Sequence, residues 1–233
     1  MQAVILASGR GTRMRELTET VPKPMLMVAG KTLIEHKLDA LPESIDEVIF
    51  IVGYHGNVIR EKFGDSFGGR AIRYVEQEVL NGTAAAVWLA RDFLRDRFVV
   101  LMGDDIYGPN DIARSTRVDD WSILVERTDT MGSGGSMVID EEGNVVAIEE
   151  GDHRGKPGLM NTNLMTLDTR IFDFPLVPKS EGSDEYGLPQ TVVAAAQAGG
   201  IPLTAVYSTF WIQVTAPEDL AIAEERLGTI EAN

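Results

Sequence analysis

Two glycines and a forked cation lie close together at Gly9, Gly11 and Arg13, and ten residues later Lys23 stands between Pro22 and Pro24. Glycines leave backbone N–H groups free to surround an anion, and an arginine grips two phosphate oxygens at once. Flanking prolines stiffen the segment that presents a single ammonium. These residue types suit the handling of a nucleotide phosphate, and spacing decides which kind. A dinucleotide fold requires Gly-x-Gly-x-x-Gly and an acid about 20 residues on. Here the third glycine is missing from Gly9-Arg10-Gly11-Thr12-Arg13, and the next strand-like run begins only near residue 47. Gly30-Lys31-Thr32 imitates the end of a P-loop, but the earlier glycine of that motif is Met25. What remains is a glycine loop that brings its own cations.

Such a loop has to be held by rigid elements. The runs at 3–7, 47–53 and 97–105 are each continuously apolar over about five residues, as strands buried on both faces are. Between them, Thr32 with Glu35 forms a capping-box pattern ahead of Leu33, Ile34, Leu38 and Leu41, and 83–94 is rich in helix formers after Gly82. Alternation of strand and helix predicts an α/β fold, Rossmann-like, with an open and mostly parallel sheet flanked by helices. Ligands of such sheets bind beyond the carboxyl ends of the strands. From about 120 to 167 the pattern changes to a hairpin with its turn at 141–144, so an antiparallel part is expected, partly inserted over the sheet. Residues 191–199 predict a helix ending at Gly199, Thr215 with Glu218 predicts another capping box, and 177–187 is the longest loop.

With 233 residues, 44 % of them hydrophobic, the chain suffices for one substantial core. One domain is expected, with a nucleotide-binding part at 1–118 and a C-terminal part at 119–233. No stretch reaches the roughly 20 apolar residues of a membrane span, and the N-terminus carries no basic leader, which predicts a cytoplasmic chain. The formal charge of -15 argues against nonspecific nucleic-acid binding. An acidic, lysine-poor surface also suits a salty cytosol. With no cysteine, any metal must sit on oxygen or imidazole.

The segment "LASGRGTRMRELTETVPKPMLMVAGKTLIEHKLDAL" closely resembles the N-terminal signature of the sugar-phosphate nucleotidylyltransferases. Other landmarks of that family follow in order: "EQEVLNGTAAAV", "LMGDD", "AIEE", "MNTN" and "FWIQVTAPEDL". The resemblance implies the nucleotidyltransferase fold with a sugar-binding lobe. It also implies Mg²⁺-dependent joining of a nucleoside triphosphate to a sugar 1-phosphate, with pyrophosphate released. Carried over residue by residue, it places Leu6, Ala7, Gly9, Gly11, Thr12 and Arg13 at the nucleotide. Gln77, Gly82 and Thr83 fall at the base, Lys23 near the reacting phosphates, and Asp104 on Mg²⁺. Glu150 and Asn161 fall at sugar hydroxyls. UTP or dTTP is expected, since Gln77 can meet an imide edge as both donor and acceptor. The C-terminal extension of many relatives is not expected.

Three positions depart from the family pattern. Where a second aspartate binds the metal, this chain has Gln213, which either supplies a weaker ligand or merely packs, and Asp105 is a candidate compensation. Gly151 replaces a lysine that contacts the sugar phosphate, with Arg154 or Lys156 as candidate substitutes. Asn163 replaces a glycine, and asparagine tolerates a left-handed backbone better than most residues. These departures keep two alternatives open. One is a cytidylyl- or guanylyltransferase acting on another phosphorylated small molecule. The other is a weakened relative that binds a nucleotide sugar as a regulator. His36 and His55 receive no role, Trp88 and Trp211 are expected to pack, and a homo-oligomer is allowed but not fixed.

Overall fold

The computed structural model describes residues 1–231, apart from the side chains at 133, 134, 150, 230 and 231. Its first strand shows why the apolar runs are unbroken. In β1 (Gln2–Ala7), Ala3, Ile5 and Ala7 face one apolar cluster while Val4 and Leu6 face another. A strand with a core on each side needs no polar alternation.

The chain next makes a small hairpin, β2 (Met27–Val28) and β3 (Lys31–Thr32), and enters α1 (Leu33–Ala40). The predicted capping box is present: Thr32 Oγ1 accepts from the Glu35 N–H, and the Glu35 carboxylate accepts from the Thr32 N–H. Strand β4 (Glu47–Val52) pairs parallel with β1. It is followed by α2 (Gly56–Phe63), β5 (Ser66–Phe67) and β6 (Arg70–Glu76), of which β6 pairs parallel with β4. Then come α3 (Thr83–Trp88) and β7 (Phe98–Met102), parallel to β1 on its other side. The helix expected over 83–94 is shorter than predicted. Ala90 N–H bonds back to the Val87 carbonyl, and 91–93 is a 3-10 turn that swings the chain toward β7.

After β8 (Asp105–Tyr107) and α4 (Pro109–Thr116) the sheet becomes mixed. Strand β9 (Trp121–Thr128) leads to the hairpin β10 (Ser133–Ile139) and β11 (Val145–Asp152), with its turn where the sequence put it. Strand β12 (Gly158–Leu167) then runs antiparallel to β7, β9 and β10. The antiparallel part is thus hydrogen-bonded to the parallel one as a single sheet, with α1, α2 and α4 on one face and α3 and α5 (Leu188–Gly199) on the other. The chain ends in β13 (Leu203–Tyr207), β14 (Trp211–Gln213) and α6 (Pro217–Glu231). The cap before α6 differs from the expected one. The Thr215 and Ala216 N–H groups, at 2.6 and 2.8 Å, are accepted by Asp219 rather than Glu218.

Packing outweighs capping in α1. Leu33, Ile34 and Leu38 are fully buried, each worth about 1.5–3 kcal/mol, against about 1 kcal/mol for a cap. Thr32→Ala should therefore lower unfolding stability by about 1 kcal/mol, and Leu38→Ala by about 2–5 kcal/mol. Urea unfolding of both variants measures that order.

Candidate active site

Strands β1 and β7 lie side by side with Leu6 opposite Met102, so the residues that follow them, the glycine loop and Gly103-Asp104, emerge at one sheet edge. Lys23 reaches the same point. Its Nζ lies 2.7 Å from Asp104 Oδ2, with the lysine side chain 9 % and the aspartate side chain 29 % exposed. Gly11 makes this approach possible. Its φ is +62°, and a Cβ there would stand 2.8 Å from the Lys23 Cβ. Arg13, in the 3-10 turn Thr12–Thr18, is exposed and has no ion-pair partner among the described residues. Leu6, Ala7, Gly9, Gly11, Thr12 and Arg13 together line a hollow of about 200 Å³ that also exposes Lys23 and Asp104. The structure thus brings the predicted phosphate-handling set together.

Gln77 follows β6 and is only 5 % exposed. Ser8 Oγ donates to Gln77 Oε1 at 2.5 Å, and Gln77 Nε2 donates to the Gly82 carbonyl at 3.2 Å. A carbonyl can only accept, so the amide has one orientation. Ser8, which sequence reasoning passed over, is what completes this clamp between the two loops. Gly82 adopts φ +106°, and a Cβ there would stand 2.2 Å from the Tyr186 carbonyl oxygen. Tyr186 is tied to this loop by its backbone: its N–H donates to the Asn81 carbonyl at 2.8 Å and its carbonyl accepts from the Ala84 N–H at 3.1 Å. Thr83 Oγ1 accepts from the Leu188 N–H at 2.9 Å, fixing the loop to the start of α5. Gln77, Gly82 and Thr83 share a hollow of about 490 Å³ with Lys23, Asp104, Asn163 and Gln213.

Next to it, Met131, Met137, Ile148, Met160 and Asn161 line a third hollow of about 300 Å³, which Gln213 joins to the second. Asn161 is thereby placed beside the central cleft. The Glu150 side chain lies outside the described residues; its backbone pairs with Gly135. Arg154 is neutralised by Asp152 at 2.7 Å, which weakens its case as a substitute for the lysine missing at Gly151.

Beneath the cleft, Gln213 is opposite Asp105 in the β14–β8 pairing. Asp105 is 3 % exposed and Oδ2 accepts from Trp211 Nε1 at 3.2 Å. Burial, and then the neighbouring Asp104 charge, push its carboxyl up to about 8. Lys37 of α1 is fully buried, with Nζ donating to the Leu33 carbonyl at 2.8 Å. Burial pulls its ammonium down to about 7, against the pull of Asp104 and Asp105. Lys37 sits four residues after Leu33, a core position of the helix, and a lysine there was the signal that could have flagged it. Among the described residues no three carboxylate or imidazole groups form a ready-made metal cage. Asp104 and the Gln213 amide offer oxygen donors that suit Mg²⁺, which keeps several waters and relies on substrate phosphates for further ligands. A wider hollow of about 920 Å³ lies at the opposite sheet edge around Gln2 and Arg95, away from this chemistry.

The profile of the nucleotidyl transferase family matches residues 2–225. The chain belongs to that family. Among curated relatives, it is 29 % identical to the bifunctional protein GlmU of Methanocaldococcus jannaschii, over 97 % of this chain and 54 % of that protein. It thus spans about half the length of that relative. It is 30 % identical to the UTP–glucose-1-phosphate uridylyltransferase AglF of Haloferax volcanii, over 97 % of this chain and 96 % of that one. Among solved structures, HddC from Yersinia pseudotuberculosis superposes with a TM-score of 0.72 at 24 % identity, covering 97 % of this chain and 99 % of that one. The likeness of fold extends to the antiparallel part of this nucleotidyl transferase family member.

Lys37→Met removes the cation that favours ionised Asp105 and should cost about 3 kcal/mol or more at pH values where that carboxyl is forced to ionise, most of it recovered by adding Asp105→Asn. Because the folded-state carboxyl is raised from 3.8 to about 8, the folded single variant holds a proton that the unfolded chain has released. Losing Lys37, which holds that carboxyl down, raises it further, so stability should fall as pH rises from about 4 through 8 and beyond. Denaturant unfolding of the single and double variants at pH 6 and pH 9 measures both effects.

Proposed function

We propose that this chain transfers a nucleotidyl group from a nucleoside triphosphate to a sugar 1-phosphate and releases pyrophosphate. The Lys23–Asp104 pair carries the reading, because it lines both the glycine-loop hollow and the larger hollow that also holds Gln77, Asn163 and Gln213. Two polyanions must meet in line despite their repulsion, and catalysis of that step consists of positioning and charge neutralisation. Gly9 and Gly11 bring backbone N–H groups to the triphosphate, and Arg13 holds the pyrophosphate that leaves. Lys23 holds the phosphate oxygens at the reacting centre. Mg²⁺, bound through Asp104 and through the Gln213 amide directly or by way of water, would supply further neutralisation of phosphate charge. No protein base is needed, because a phosphate monoester is largely ionised near neutral pH.

The base is read as uracil or thymine. Ser8, Gly82 and Asn81 hold the Gln77 amide; its carbonyl keeps a lone pair for an imide N–H, and its Nε2 meets an imide carbonyl by releasing the long 3.4 Å bond to Asn81. Guanine offers the same pair of groups, so a guanylyltransferase remains the alternative within this chemistry. A weakened relative that binds nucleotide sugar is the second reading, favoured by the amide at Gln213. No helix among the described residues is long and apolar enough to cross a membrane, which supports a cytoplasmic setting for soluble phosphorylated substrates.

The test is pyrophosphate release from a panel of nucleoside triphosphates against sugar 1-phosphates, with and without Mg²⁺. UTP or dTTP with one sugar phosphate should turn over; silence across the panel, with nucleotide-sugar binding still measurable, would leave the binding role instead. Lys23→Ala and Asp104→Ala should each lower kcat by about 100-fold or more while leaving a folded chain by circular dichroism. Gln213→Asp should reduce the Mg²⁺ concentration that half-saturates turnover, and an unchanged requirement would separate this position from the metal.

A further inference from the structure

Asn163 occupies a backbone conformation with φ +59°, which glycine adopts freely and other residues adopt at a cost. Strain of this kind concentrates where a side chain is wanted. The hydrogen bonds around it fix where its amide points. The Asn163 N–H donates to Asn161 Oδ1 at 2.8 Å. Asn161 must therefore turn its Nδ2 the other way, and it donates to Asn163 Oδ1 at 2.7 Å. With that oxygen occupied, Asn163 presents its two Nδ2 hydrogens elsewhere, and no acceptor among the described residues takes them. Asn163 lines the central hollow with Lys23, Asp104 and Gln213. Its partner Asn161 lines the methionine-rich hollow beside it. The amide therefore stands in the hollow that holds Lys23 and Asp104, next to the residue that lines the methionine-rich one.

We infer that Asn163 is a substrate-binding residue whose amide donates to the phosphate of the acceptor, supplying neutral donors where Gly151 leaves no lysine. This rests on the proposed function and adds a residue to the same site. A neutral donor also suits a cleft in which Lys23 is already paired with Asp104. The apolar lining next door, from Met131, Met137, Ile148 and Met160, gives this acceptor few charged groups to meet beyond its phosphate.

Asn163→Gly tests the inference without threatening the fold, since glycine accepts φ +59° at least as well as asparagine. The acceptor used is whichever sugar 1-phosphate of the panel the wild-type protein turns over. Its KM should rise about 10- to 100-fold, the effect of losing a hydrogen bond to a charged group, with the KM for the nucleotide and the unfolding midpoint unchanged or improved. Asn163→Asp keeps the shape but replaces the donors with a negative charge, and should be at least as damaging to acceptor binding. If Asn163→Gly keeps the wild-type acceptor KM, the residue serves only the backbone turn and the inference fails while the proposed function stands. If the wild-type protein turns over no member of the panel, the proposed function fails and takes this inference with it.

Discussion

The ion pair between Lys23 and Asp104 ties together two segments 81 residues apart. Lys23 is only 7 % exposed, and a buried ammonium is stable only with a counter-charge at hand, which Asp104 provides from the end of β7. In return, the pair holds the proline-flanked turn against the sheet edge, beside the glycine loop. The surrounding backbone is shaped to permit this contact. A Cβ on Gly103 would stand 2.6 Å from the Leu6 carbonyl, so only glycine lets the loop after β7 run this close to β1. Below the pair, Lys37 and Asp105 add a second base and a second acid, keeping the buried layer balanced before any polyanion binds.

That balance explains how the altered positions fit together. Gln213 and Asn163 are both amides, and each adds hydrogen-bonding capacity without adding charge. Asp105, the extra acid considered from sequence as a replacement ligand, is directed instead into the floor, where Trp211 and Tyr107 meet it. The cleft therefore relies on few net charges, with Arg13 an exposed cation beside the glycine loop.

Much of this was legible in the sequence because the elements involved are local. Unbroken apolar runs marked β1, β4 and β7; the Thr32 and Glu35 pair marked the start of α1; the turn at 141–144 marked the hairpin. The glycine loop and Lys23 were legible from their spacing, and Asp104 from the resemblance of its segment to the family pattern. What sequence concealed are contacts between segments distant along the chain. Ser8 acts only by meeting Gln77, and Thr83 acts on Leu188 across 105 residues. Lys37 looked like any helical lysine because its surroundings are created by β8. The end of α3 and the cap of α6 were missed for a different reason: tertiary direction of the chain overrode local propensity.

Helix α6 packs against the 3-10 turn that carries Arg13 and against β2. Ala223 shares a small apolar cluster with Met14, Leu26 and Val28, and Arg226 holds the Trp211 carbonyl at 3.0 Å. The cradle around Gly9, Gly11 and Arg13 is therefore backed by a helix that begins only at Pro217. A nascent chain carries the loop long before it carries the helix behind it, so the packing that fixes the loop is completed only after that helix has been made.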